Sequence, residues 1–419
     1  MKKTWKKIAA LVLAAVTSLS FVGCDKLLND LEGVISSGIE DVLHSSTPDS
    51  TPDSTPDDST PDESTPDEST PDNSTPDDST PDDSTPDDST PDDSTPDDST
   101  GGDVITSDDL SIHFLELGNK NPGDCTYIKA GDVDILIDAG SKRGSAPTIT
   151  NYISQYCTDG ILEYVIATHA HEDHIAAFVG ESGKKQGVFD LYRVGTLIDF
   201  PLTNSSSGIY NDYKALRSSI ISEYGTKHYT ALEWWNGVDG LTRSIEIANG
   251  ITMNILYQKY YENKSSSENN YSVCVMFSEN DNHYLFTGDL EKAGEESLVD
   301  SNTLPKVTLY KGGHHGSETS SSPNFLAKTC PKIVCVCCCA GGQYNFPTQT
   351  FINNVALYTS QIYVTTMVDS NSTGFTSMNG NIVVSSVGGV VTVNCSNNNT
   401  ILKETAWFKS NRVWPTNGV

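Results

Sequence analysis

Basic residues are scarce in this chain. Lysine and arginine number 26 against 56 aspartates and glutamates, a net charge of −30, and nowhere do they form a run. Non-specific nucleic-acid binding draws on such cations to neutralise phosphates. That class of partner is therefore disfavoured, although a metal ion could supply local positive charge. Beyond residue 100 no apolar stretch approaches the roughly 20 residues of a membrane-spanning helix, which excludes a transport pore from that part. Residues 46–100 lack still more. They hold no basic residue and no apolar side chain except proline, only near-perfect repeats of Ser-Thr-Pro-Asp-Asp with 19 acidic residues. Such a segment buries too little to offset the entropy of ordering, and proline and like charge keep it extended. It reads as a surface stalk whose hydroxyls could carry O-glycans. Residues 101–419 hold 32 acidic and 21 basic residues, leaving −11 for the part that can fold.

Residues 1–24 have the layout of a secretory signal. Lys2, Lys3, Lys6 and Lys7 precede a mostly apolar stretch from Ile8 to Val22, and Ser-Phe-Val-Gly-Cys closes it at Cys24. A small residue before cysteine resembles a bacterial lipoprotein cleavage site, which implies lipidation of Cys24. Phe21 departs from the usual leucine. An uncleaved anchor helix is the rival reading, and either one tethers an exported domain to a membrane. Residues 25–45 form a short membrane-proximal segment with partial helical spacing of Leu27, Leu28, Leu31, Val34 and Ile35.

Cysteine is plentiful. Nine follow Cys24, an odd number that cannot all pair. Cys335, Cys337, Cys338 and Cys339 lie in the apolar run Ile333–Ala340, a buried strand by its pattern. Neighbours on a strand point to opposite faces and rarely share one ion, so these thiols read as small core hydrophobes rather than a soft-metal or redox site. Many exported thiols suggest an anaerobic host.

The richest segment is Thr168-His-Ala-His-Glu-Asp-His-Ile175. His169, His171, Asp173 and His174 are metal-ligand side chains suited to Zn²⁺ and related ions. They follow the buried strand Ile161–Ala167, so they lie on the loop at its carboxyl end, where α/β layers place sites. Two more strands end alike. Tyr284–Thr287 runs into Gly288-Asp289, and Val307–Tyr310 runs toward His314-His315-Gly316-Ser317. A solvated polar loop could explain one histidine, but not three strand ends that each deliver ligands.

This ordered set, with Asn270-Tyr271-Ser272 between, resembles the metallo-β-lactamase superfamily. More narrowly it is similar to the hydrolase domain of the competence protein ComEC and its stand-alone relatives, a neighbourhood that includes surface phosphorylcholine esterases. The resemblance starts at Ile112–Gly118, continues through Gly123-Asp124-Cys125 and Asp134–Gly140, and ends near Ser386. It implies an α/β fold, a four-layer αββα sandwich, over residues 101–419. Two divalent ions are implied, Zn²⁺ or Mn²⁺. His169 and His171 would hold the first and Asp173 and His174 the second, with Asp289 bridging. One of His314 and His315 would complete the second; His314 is the expected ligand and His315 the residue facing substrate, with Asp173 and His315 the expected catalytic pair. Asp138 and Ser317 would orient imidazoles.

Two departures stand out. The further histidine of many members has only His228 and His283 as candidates here. Relatives also tend to show Asn-x-Tyr-x-His-Pro, where this chain has Phe346 in place of the histidine. Trp234, Trp235, Tyr257, Tyr260 and Tyr261 pack the core or wall a ligand.

The expected activity is an exported, membrane-tethered, metal-dependent hydrolase of a phosphate ester, with a cell-wall polymer or extracellular DNA as candidate substrate and no specific protein partner. Lactone or thioester hydrolysis is a second enzymatic reading. A stalked surface binding module with structural metals is the non-enzymatic one.

Overall fold

Short runs of alternating and continuous apolar residues, each ended by Gly, Asn or Asp, commit most of this chain to strands. The computed structural model describes residues 108–181, 183–371 and 373–419. The signal, the membrane-proximal segment and the stalk lie outside them. Two eight-stranded sheets result. In sheet 1, β1 (Leu110–Phe114), β2 (Thr126–Ala130) and β3 (Val133–Ile137) form an antiparallel meander. Parallel strands β4 (Ile161–Ile166), β7 (Arg193–Asp199) and β8 (Lys227–Thr230) extend it on one side, and β17 (Ile382–Val387) and β18 (Val390–Cys395) on the other. The short β5 (Gly180–Glu181) and β6 (Lys185–Gln186) pair apart from it.

Sheet 2 repeats the plan. β9 (Ser244–Ala248), β10 (Ile251–Leu256), β11 (Cys274–Glu279) and β12 (Asn282–Phe286) are antiparallel. β13 (Leu309–Lys311), β14 (Ile333–Ala340) and β15 (Ile362–Val368) follow in parallel, and β16 (Phe375–Ser377) closes the edge. Nine α-helices lie among the described residues: α1 (Ala146–Ile153), α2 (Glu172–Val179), α3 (Val188–Leu191), α4 (Gly208–Tyr224), α5 (Ala231–Trp235), α6 (Lys292–Ser301), α7 (Pro323–Thr329), α8 (Gln349–Val355) and α9 (Ala406–Asn411).

The layers follow from the two-residue period of strand side chains. Tyr284, Phe286, Cys335 and Cys337 enter the core shared with sheet 1, where Phe114 stacks on Phe286 at 6.1 Å. Their neighbours Leu285, Val334, Val336 and Cys338 face the other way, onto Leu298 of α6, Phe325 of α7, Phe351 of α8 and Phe408 of α9. Sheet 1 meets Ile149 of α1, Phe178 of α2, Phe189 of α3 and Tyr213 of α4. Each buried ring or branched chain contributes roughly 1.5–3 kcal/mol. The expected αββα sandwich is what forms. Seven of the nine cysteines are buried, as the core-packing reading expects.

In both sheets the parallel strands run the same way, so β3, β4, β12 and β13 deliver Asp138, the 168–174 loop, Asp289 and the histidine pair from their carboxyl ends. No helix among the described residues is long and apolar enough to cross a membrane.

Candidate metal centre

Five imidazoles and two carboxylates converge where those strand ends meet. The centre is one oxygen, Asp289 Oδ2. His174 Nε2 lies 3.1 Å from it, His315 Nε2 3.3 Å, His314 Nε2 3.8 Å and His169 Nε2 4.0 Å. His171 Nδ1 is 2.9 Å from His169 Nε2, and Asp173 Oδ2 is 3.3 Å from His315 Nε2. All seven expected residues therefore come together, from three strand ends that are far apart in sequence.

Local structure explains each placement. His171 caps α2, which puts Asp173 and His174 in its first turn, where a carboxylate is favoured by the helix dipole. Ring orientation is fixed from behind. His174 Nδ1 donates to Asp138 Oδ2 at 2.7 Å, and the Thr168 hydroxyl donates to the same oxygen. His315 Nδ1 donates to the Cys337 carbonyl at 2.9 Å. His314 Nδ1 meets Thr319 Oγ1 at 2.7 Å; the Ser317 hydroxyl lies 3.1 Å from that oxygen, and the Ser317 amide donates to the His314 carbonyl at 2.8 Å. Asp138, His314 and His315 adopt φ of 58°, 47° and 53°, a left-handed conformation that costs non-glycine residues roughly 1–3 kcal/mol each.

The two adjacent histidines occupy different positions. His315, buried, shares a ligand-sized cluster with Asp173 and His174, and another with Asp289. His314 is 21 % exposed and lines the cleft. Consecutive positive φ values turn the His315 ring inward and leave His314 at the edge. His228 and His283 do not join the cluster. His228 Nε2 bonds Asp199 at 2.9 Å and His283 Nδ1 bonds Ser278 at 2.8 Å. Phe346 does line the cleft, its ring 6.0 Å from His314 and 6.2 Å from His315. The aromatics of the middle region are elsewhere: Trp234 and Tyr261 are buried, and Trp235 stacks under Arg243 at 3.7 Å.

Two partners went unassigned in the sequence. Asp124, just before β2, lies 3.2 Å from His315 Nδ1 and pairs with buried Lys311. Both sit inside motifs already quoted, but a Gly-Asp pair reads as a turn, and no local pattern announces a buried ion pair. Glu268 is a third: it accepts from the Ala170 amide at 3.3 Å and the Thr203 hydroxyl at 2.6 Å, tying the histidine loop to the segment after β7.

The residues fit a cation. His315 Nε2, which faces Asp173 and Asp289, is buried without a hydrogen bond, and buried polar atoms are rarely left so. Burial opposes charge on His174 and His315, yet Asp289 with Asp138, and Asp289 with Asp124, lift both well above the ordinary imidazole range. The carboxylates draw positive charge into the place an ion would take. His169 and His314 go the other way, lowered by burial, so their lone pairs are available. The cleft above measures about 420 Å³ and is lined by His171, Asp173, His314, Tyr344 and Lys142 among others.

This sandwich is that of a metallo-β-lactamase-fold protein, and the clustered ligand-type residues sit where its strand ends meet. Within this fold the chain is ComEC-like. It is 28 % identical to ComE operon protein 3 of Bacillus subtilis over 108 residues, 26 % of this chain and 14 % of that protein. It is 30 % identical to competence protein ComA of Neisseria gonorrhoeae over 135 residues, 31 % of this chain and 17 % of the relative. The chain thus spans less than a fifth of the curated relatives it matches. Among solved structures it is similar to the metallo-β-lactamase fold protein YhfI of Bacillus subtilis, at 11 % identity, 63 % coverage of this chain, 98 % of the other and a TM-score of 0.36. No family model matches the chain.

Proposed function

We propose that the protein is a hydrolase of phosphodiesters that uses two divalent cations, Zn²⁺ by its nitrogen-rich ligand set. The observation that carries this reading is the convergence of four imidazole nitrogens on one carboxylate oxygen. Charge supports the number of ions. With neutral imidazoles, Asp124, Asp138, Asp173 and Asp289 against Lys311 sum to −3. One dication leaves −1; two give +1, which a monoanionic diester brings to zero.

Such a pair supplies an activated water near neutral pH and an electrostatic clamp on a phosphoryl group. The chain's own residues do the rest. His169 and His171 present lone pairs on one side, Asp173, His174 and His315 on the other, and Asp289 Oδ2 lies between. Asp138 fixes the His174 tautomer, and the Cys337 carbonyl fixes that of His315. Asp173, 29 % exposed, faces the cleft, orients the attacking water and takes its proton. His314, with Nδ1 held against the Thr319 hydroxyl, turns its other ring nitrogen toward the cleft, where a phosphoryl oxygen would sit. The signal and Cys24 would place the domain outside the cell on a membrane anchor, with the acidic repeats as spacer. Anionic cell-wall polymers and extracellular DNA are then the accessible substrates.

The test is turnover of bis(p-nitrophenyl) phosphate by the purified protein. Activity is expected to vanish with chelator, to return with Zn²⁺ or Mn²⁺, and to fall at least about 10³-fold in His171→Ala. Two bound metals without turnover of any phosphate ester would replace this reading with a binding module; turnover of lactones alone would replace it with the other hydrolase class.

A further inference from the structure

Lys311 ends β13 three residues before His314 and is 2 % exposed. A buried ammonium without partners costs several kcal/mol, and this one has two carboxylates. Nζ pairs with Asp124 and lies 3.7 Å from Asp289 Oδ1; it also donates to the Gly288 carbonyl at 3.4 Å. The two oxygens of Asp289 are thereby divided. Oδ2 faces the imidazoles, at 3.1 Å from His174 and 3.3 Å from His315. Oδ1 is buried, makes no hydrogen bond and has the ammonium as its neighbour. A carboxylate beside two cations can chelate one ion with both oxygens or share a single oxygen between them. A fixed positive charge behind one oxygen disfavours chelation.

We infer that Lys311 is a positioning residue for the metal ions: an internal cation that occupies the inner oxygen of Asp289, so that the carboxylate turns one oxygen to both. This rests on the two-metal reading above. The competing role is that Lys311 only neutralises Asp124. Single variants do not separate the two, because removing Lys311 alone takes away a repulsion toward dications and also leaves Asp124 unpaired. The double variant Lys311→Met/Asp124→Asn removes one charge of each sign and nearly keeps the shape. Its test is Zn²⁺ content measured by mass spectrometry at graded free Zn²⁺, on the full-length protein, with melting of the chelator-stripped protein recorded alongside.

The double variant is expected to melt near the wild type when stripped, and to need about tenfold more free Zn²⁺ for half-saturation of the pair. That corresponds to about 1.4 kcal/mol, the scale of one hydrogen bond to a charged group. Two ions bound at the wild-type midpoint would overturn the inference and leave the proposed function standing. A wild type that takes up no ion would overturn both. If the variant does not fold, the structure of the Zn²⁺-loaded wild type decides: Asp289 bridging through Oδ2 with Lys311 behind Oδ1 supports the role, and Asp289 chelating one ion with both oxygens ends it.

Discussion

His314 and His315 are chemically identical and adjacent, so residue type alone cannot rank them. Backbone torsion does. With φ of 47° and 53°, the chain turns so that the second ring lies inside and the first at the cleft. The same dependence on backbone appears at Gly140, which follows β3 and lies under the loop of α2. A Cβ there would overlap the Asp173 carbonyl, so the glycine is required by close approach and not by its own torsion. Gly140→Ala replaces no ligand side chain, yet it must push Asp173 and His174 outward. A displacement of about 1 Å at a reacting centre costs on the order of 10²-fold. The expected result is a loss of that size in kcat/KM with reduced Zn²⁺ content, while far-ultraviolet circular dichroism stays near wild type. Wild-type Zn²⁺ uptake in this variant would show that the 140–173 contact is not what sets the ligand positions. The candidate ligands at 169–174 and 289 were legible because imidazole and carboxylate at strand ends have few other uses. Asp124 and Lys311 were not, since their meaning arises only when β2 and β13 of different sheets meet.

At the level of elements, the cysteine-rich strand has a use beyond packing. The ladder between β14 and β15 shifts register between Val336 and Cys339. A bulge re-aims backbone groups beside a site, and here the Cys337 carbonyl receives His315 Nδ1–H while the Cys338 carbonyl receives the Thr365 hydroxyl at 3.1 Å. The thiols themselves are inert. Burial raises Cys335 well above its ordinary range and Cys337 to about 12. The seven buried cysteines are therefore expected to resist iodoacetamide in the native protein at pH 8 and to react fully in guanidinium, as read by peptide mass mapping. Rapid native labelling of Cys335 or Cys337 would contradict their place between the sheets. Edge strands explain most of what pattern reading lost. β8 (Lys-His-Tyr-Thr) and β9 (Ser-Ile-Glu-Ile-Ala) end their sheets half-exposed, and natural edges carry charge to avoid pairing with other chains. Their polarity hides them in the sequence, whereas the buried strands that lead into the histidine and aspartate loops are plain.

For the molecule as a whole, two buried titratable groups far from the metal ligands shape stability against pH in opposite senses. His113 of β1, hydrogen-bonded at both ring nitrogens to Tyr152 and Ser111 at 2.8 Å, is pushed down to about 4 by burial. The unfolded chain takes up its proton first, so its contribution is complete above pH 6.5 and is lost as pH falls toward 4, by roughly 3 kcal/mol in all. Glu295 of α6 accepts the Ser321 and Ser322 amides and is pushed up to about 7, burial outweighing those bonds. Here the unfolded chain releases the proton first. Its contribution is complete below pH 4.5 and declines as pH rises to 7, again by roughly 3 kcal/mol. Between pH 4.5 and 6.5 the slopes oppose, and the pair together leaves little net change. Substitution exposes each one. Glu295→Gln keeps an acceptor for one of the two amides and removes the titration. Urea unfolding should therefore show this variant gaining on the wild type by roughly 2–3 kcal/mol between pH 5 and 7.5. His113→Asn should lose ground over the window from pH 4.5 to 6.5, because the histidine's rising contribution is absent. A wild-type-minus-Glu295→Gln difference that is flat with pH would mean that the carboxyl is already ionised in the folded protein at pH 5, with solvent or a cation reaching it between α6 and the 321–322 loop.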